Sequence, residues 1–140
     1  MFWAGARSVD DRGFPKFEAN LQALLKEIVR RSPQARIIVV TYPVIIPAEG
    51  NCGPLGLTDE QAVLMRAVGE KLTDVTRAAA KKADATLVDM ARLSAAHSAC
   101  SAAPWVNGFR PESGADFHPT LEGARATARE IANALRESRL

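Results

Sequence analysis

A continuous apolar run is the first thing this sequence lacks. No stretch of roughly 18 apolar residues occurs, which excludes a membrane-spanning helix and reads as a soluble chain. An excess of one charge is missing as well. Eighteen basic and 16 acidic residues leave a net +2, with both signs interspersed along the helical stretches, so neither nucleic acid nor an anionic membrane is an expected partner. The densest basic pairs, Arg30-Arg31 and Lys81-Lys82, fall near the ends of predicted helices, where cations suit the macrodipole. There is no glycine-rich phosphate loop, dinucleotide fingerprint or Gly-x-Ser-x-Gly elbow, and no cofactor is expected. The opening MFWAGARSVDDRGFP has no apolar core of about 7 to 15 residues and soon meets two aspartates. It does not read as a signal peptide, so the chain as written is expected in the cytoplasm. Cysteine is scarce: Cys52 and Cys100 alone leave open a disulfide, two buried thiols or part of a metal site.

What is present suits one small globular domain. With 47% apolar and 24% charged residues over 140 positions, the chain can bury a core. From Pro15 to Ser32, Phe17, Leu21, Leu24, Leu25, Ile28 and Val29 recur at steps of three and four, which predicts an amphipathic helix stopped by Pro33. ARIIVVTYP then reads as a strand buried on both faces. Residues 44–57 form a long loop rich in proline and glycine. Thr58 and Gln61 make a capping box for a helix that ends near Asp84, with Met65, Val68, Leu72, Val75 and Ala79 inward. TLVDM, Thr86 to Met90, is the second strand, and residues 91–117 a second long loop. A last helix runs from about Pro119 to Arg136, with Ala124, Ala128, Ile131 and Leu135 inward.

This alternation predicts α/β architecture with parallel strands. Two strands make a poor sheet for three amphipathic helices. The chain therefore reads as a single partial domain over residues 1–140: an irregular N-terminus over 1–14, then the C-terminal part of a larger domain over 15–140. A protein partner covering an open sheet edge would serve equally.

His97 and His118 are the two histidines. His118, in ADFHPTLEGARATA, joins the second long loop to the last helix, at the carboxyl edge of the sheet where α/β proteins bind ligands. As the expected N-cap residue it would feel the positive helix end, which keeps a neutral base available. Cys52, His97, Cys100 and His118 suggest a zinc site, but the usual second close pair of ligands is absent and no metal is expected. Trp105, beside Pro104, suits either the wall of an acyl pocket or a loop anchor. Asp89, ending the second strand, suits a cap or a local hydrogen bond better than a triad acid.

DFHPTLEGARATA resembles the last conserved block of the SGNH hydrolases, the GDSL-type esterases and lipases, in which the catalytic histidine precedes proline and a helix with glycine a few residues on. Three further stretches resemble the actinobacterial secreted branch of that family in the same order: PQARIIVVTYPVIIP, NCGPLGLTDEQ and HSACSAAPWVNG. The resemblance spans residues 33–128. It implies a three-layer α/β/α, flavodoxin-like SGNH fold, here incomplete, and hydrolysis of small-molecule or lipid carboxylic esters.

Carried onto this sequence, the resemblance makes His118 the general base for a nucleophilic serine. The aspartate often found three residues earlier is Ala115 here. Asp116 is then the candidate orienter, but a backbone carbonyl, of Ala115 or of Asp116, is expected in preference to its carboxylate, which implies a Ser-His dyad. The Gly-Asp-Ser block and the oxyanion glycine and asparagine are not present. Ser8 follows no strand, Asn20 falls inside the first helix and Asn107 in the late loop, so none matches a missing block. The chain alone is expected to be inactive. The resemblance also implies that Cys52 and Cys100 pair as a disulfide and that the parent family is secreted or envelope-bound.

Overall fold

The computed structural model describes residues 12–137. Four helices and two strands follow one another as α1 (Gly13–Arg31), β1 (Ile38–Val40), α2 (Asp59–Lys82), β2 (Thr86–Val88), α3 (Met90–Leu93) and α4 (Leu121–Glu137), with a single 3-10 turn at Gly53–Leu55. Helix α1 begins two residues before the predicted Pro15, so Gly13 and Phe14 are helical, not irregular; residues 1–11, with Ser8, lie outside the described residues.

β1 and β2 pair in parallel, with Ile38 opposite Thr86, Val39 opposite Leu87 and Val40 opposite Val88. Alternation across the pleat separates two cores. Val39 packs with Leu25 of α1 and with Ala79 and Ala80 of α2. Ile38, Val40 and Val88 pack on the opposite face with Met90, Trp105 and Ala126, Ile131 and Ala134 of α4. Helices on both faces of a parallel sheet make a three-layer α/β/α arrangement. Both strands are shorter than the apolar runs predicted, because the chain leaves the ladder after Val40 and after Val88.

The capping box of α2 forms as the sequence predicts: the Gln61 amide donates to Thr58 Oγ1 at 3.2 Å and the Thr58 amide to Gln61 Oε1 at 2.9 Å. Leu72, expected inward, is exposed, and Ala62, Ala79 and Ala80 are the fully buried positions of that helix.

Helix α4 corrects two expectations. It starts at Leu121, because Pro119 is taken by an antiparallel bridge to Val106 and the Thr120 amide donates to the Trp105 carbonyl at 2.9 Å. Thr120, not His118, supplies the cap, its Oγ1 accepting from the Gly123 amide at 3.1 Å. The inward face is also turned by one residue, about 100°. Gly123 and Ala126 are buried while Ala124, Ala128 and Leu135 are exposed. Gly123 sets that rotation: a Cβ there would stand 2.0 Å from the Trp105 carbonyl oxygen, so only glycine lets the first turn lie against the loop.

Candidate active site

The loops leaving the carboxyl ends of β1 and β2 are tied to one another. The buried Ser94 Oγ, just after α3, accepts from the Val44 amide at 2.7 Å, and the Ala99 amide donates to the Ile45 carbonyl at 3.0 Å. Cys52 and Cys100 form a disulfide across these loops, 48 positions apart in sequence with Cα atoms 5.7 Å apart. Both sulfurs are therefore bonded to each other, and neither is a thiolate able to hold a metal with His97. His97 Nδ1 lies 2.8 Å from the Ala103 carbonyl, and its ring stacks flat on Trp105 with centroids 4.1 Å apart. Trp105 thus anchors its loop between His97 and the α4-side core.

Residues 107–118 close back on themselves. The Asn107 amide donates to the His118 carbonyl at 2.8 Å and the Phe117 amide to the Gly108 carbonyl at 3.2 Å. Asn107 Nδ2 donates to the Ala115 carbonyl at 3.2 Å, so this side chain is engaged within its own loop. Gly108 lets the loop approach Pro54, whose carbonyl oxygen would meet an added Cβ at 2.2 Å. Phe117 takes a left-handed conformation with φ of 60° and its ring stacks on Phe109 at 6.3 Å.

His118 stands exposed on this platform. Its Nδ1 lies 2.9 Å from the Asp116 carbonyl oxygen. A carbonyl only accepts, so in the neutral ring Nδ1 carries the proton and Nε2 the lone pair, the tautomer a base needs. The Asp116 carboxylate turns away and accepts from the Arg110 amide at 2.9 Å. Tyr42, the residue after Thr41 at the end of β1, donates from its hydroxyl to the Phe117 carbonyl at 2.9 Å. Burial pushes its hydroxyl above the ordinary tyrosine value. The sequence reading missed this contact, although a lone tyrosine at a strand's carboxyl end was a visible signal.

Asp89 caps α3, accepting from the Arg92 amide at 3.3 Å, as expected of a local role. It also takes a hydrogen bond from Thr41 Oγ1 at 3.1 Å and an ion pair from Arg77 of α2 at 3.0 Å, which the sequence reading did not anticipate. Burial alone would raise the Asp89 carboxyl, but donation by the Arg92 amide, Arg77 and Thr41 outweighs it and holds the group below the usual carboxylate range. A depression of about 300 Å³ lies elsewhere, between α1 and α2, lined by Gln22, Lys26, Val29, Ala79, Lys82 and Ala83, none of which belongs to the His118 platform.

Residues 5–126 match the model of the GDSL-like Lipase/Acylhydrolase family. The chain belongs to that family. Curated relatives include a lipase of Streptomyces rimosus, 28% identical over 75% of this chain and 39% of its own length. Lipase 2 of Streptomyces coelicolor is 32% identical over 86% of this chain and 44% of its own. Among solved structures, a phospholipase A1 of Streptomyces albidoflavus superposes with a TM-score of 0.70 at 21% identity. An extracellular lipase of Streptomyces rimosus superposes with a TM-score of 0.69 at 25% identity. Each structural match covers 86% of this chain and 50% of the solved one. This GDSL-family chain therefore spans half or less of the length of the relatives it matches, and its small parallel sheet is part of their α/β fold. Among its described residues no helix is long and apolar enough to cross a membrane.

Proposed function

We propose that this GDSL-family chain is the base-bearing part of a carboxylic ester hydrolase. His118 removes the proton from a serine hydroxyl through Nε2 and returns it to the leaving alcohol, while the Asp116 carbonyl holds Nδ1–H. A carbonyl stabilises the imidazolium less than a carboxylate would, which fits a dyad. The reading is carried by the 2.9 Å contact between His118 Nδ1 and the Asp116 carbonyl on a loop at the carboxyl edge of the sheet. The serine and the oxyanion donors come from sequence outside these 140 residues, in the same polypeptide or a second one. Trp105, half-buried beside the histidine loop, forms one wall of the acyl pocket. The disulfide favours an oxidising compartment over the cytoplasm.

A test joins the chain with the N-terminal portion of a GDSL relative carrying the Gly-Asp-Ser block and follows hydrolysis of a short-chain nitrophenyl ester. The expected result is turnover by the pair, none by the chain alone, and loss of at least about 1000-fold with His118→Ala. Turnover that survives His118→Ala removes the reading.

A second reading rests on the two-stranded sheet together with the exposed apolar residues of α1, Leu24 at 56% and Val29 at 45%. It makes the chain a non-catalytic module that completes another chain's sheet. Tight pairing with the N-terminal portion without ester turnover selects it.

A further inference from the structure

Phe117 holds a backbone conformation that L residues other than glycine rarely adopt. Such a conformation persists only where its surroundings over-determine it, and it gathers at sites whose geometry matters. Here both polar groups of the residue are tied: its amide donates to the Gly108 carbonyl at 3.2 Å, and its carbonyl accepts from the Tyr42 hydroxyl at 2.9 Å. The carbonyl that Tyr42 grips belongs to the peptide joining Phe117 to His118. Holding that peptide plane, while the Asn107 amide holds the His118 carbonyl at 2.8 Å, restrains both sides of the His118 Cα and so the direction of its Cα–Cβ bond.

Tyr42 is itself firmly mounted. Thr41, before it, is 1% exposed; its amide donates to the Val88 carbonyl at 3.1 Å, and its Oγ1 donates to Asp89 and accepts from the Ala91 amide at 2.9 Å. Pro43 follows and restricts Tyr42 to extended conformations. The carboxyl end of the sheet thus carries, on a fixed backbone, a half-exposed side chain whose hydroxyl reaches the histidine loop 75 residues along the chain.

We propose that Tyr42 is a positioning residue for His118: its hydroxyl locks the left-handed Phe117 and so keeps the imidazole against the Asp116 carbonyl. The inference rests on the reading of His118 as the base, but its test does not require turnover. A tyrosine hydroxyl, protonated throughout the neutral range, suits a permanent donor.

Tyr42→Phe in the 140-residue chain deletes one hydroxyl and keeps the ring. Long-range proton–nitrogen NMR of the imidazoles, above the pH at which they are charged, reads the tautomer of each histidine. His97 is an internal reference, because its Nδ1 also meets a carbonyl, that of Ala103, whereas the Tyr42 hydroxyl donates to Phe117. The expected result is a fall of about fivefold in the His118 ratio of Nδ1–H to Nε2–H, the size of one lost neutral hydrogen bond, with His97 unchanged. Adding Phe117→Gly, which takes the left-handed conformation without strain, restores the ratio.

An unchanged His118 ratio overturns the proposal. An equal shift at His97, or collapse of amide dispersion in Tyr42→Phe, overturns it too, since Tyr42 is then a general clamp on the fold. A shift that Phe117→Gly fails to restore overturns the backbone route. If the ratio responds as expected while the chain joined with a serine-bearing N-terminal portion hydrolyses ester equally well with His118→Ala, the positioning stands and the base assignment falls.

Discussion

The two faces of the sheet are closed by different means. On the α4 face and in the carboxyl-end loops beside it, backbone meets backbone: Gly123 admits the Trp105 carbonyl, Gly108 admits Pro54, Met90 and Val106 are wholly buried, and a disulfide joins the loops. On the α1–α2 face the contact is thinner. Leu25 and two alanines of α2 meet Val39, while Phe17, Leu24, Ile28 and Val29 of the same apolar stripe remain exposed. An exposed leucine forgoes about 2 kcal/mol of the stabilisation that full burial gives. The loops around the histidine thus form a self-contained unit, and the opposite layer has apolar surface to spare.

Breaking the α4 face or the loops beside it should be costly, and the disulfide comes first. In the chain-entropy model, opening a loop of this length with Cys52→Ala and Cys100→Ala lowers unfolding free energy by about 4 kcal/mol, read as the shift of a urea midpoint in non-reducing buffer. A change below about 1 kcal/mol would show that the loop hydrogen bonds hold this face without the covalent link. Gly123→Ala is next: its Cβ would collide with backbone, not with a movable side chain, and the expected loss is about 3 kcal/mol. A near-neutral result there would mean that α4 can lift off the loop freely.

Asp89→Asn tests the bond between layers, because Asp89, just past β2, is joined to Thr41, just past β1, and to Arg77 of α2. The expected loss is about 2 kcal/mol at neutral pH. The sign of its pH dependence follows from the depressed carboxyl of the folded state. Its contribution is full above the unfolded value of about 3.9 and disappears as pH falls through the lower folded value. Stability curves of wild type and Asp89→Asn should run parallel above about pH 5 and converge in acid. A constant gap at all pH values would assign the loss to packing. The smallest effect belongs to the open face: Leu24→Asp should alter stability by less than about 0.5 kcal/mol, since little is buried there. A loss above about 2 kcal/mol would mean that α1 is covered in solution, and light scattering of the variant would show whether by a second copy.

The regular elements were legible because their signals are local. The α1 stripe, the Thr58 and Gln61 box, and the β-branched runs of both strands carry their own periodicity or chemistry. The pairing of Cys52 with Cys100 was legible only through family resemblance. Contacts between distant segments were not readable. Alanine suits either side of a helix, so the α4 stripe could be placed only once Gly123 was known to face Trp105. Pro119 looked like a first helical residue until Val106 claimed it for a bridge. Arg77 finds Asp89 from one turn of a long helix among several basic residues, and no spacing rule selects it. At the site, a carbonyl of Ala115 or Asp116 was foreseeable because both are close neighbours of His118 in sequence, and Asp116 supplies it, whereas the reach of Tyr42 to Phe117 depends on how two strands bring their ends together.

The link between Cys52 and Cys100 also gives the molecule a topology. It closes a covalent ring that contains α2, β2 and α3, and leaves α1, β1, α4, Tyr42 and His118 on two tails outside it. The two strands of the sheet are thus one ring member and one tail member, zipped side by side. A protease cut within α2 would open the ring without releasing a piece, so the nicked chain would stay whole on a gel until a reductant was added. A cut between Tyr42 and Cys52 would leave α1 and β1 with no covalent tie to the rest, and with them the arm that reaches the histidine.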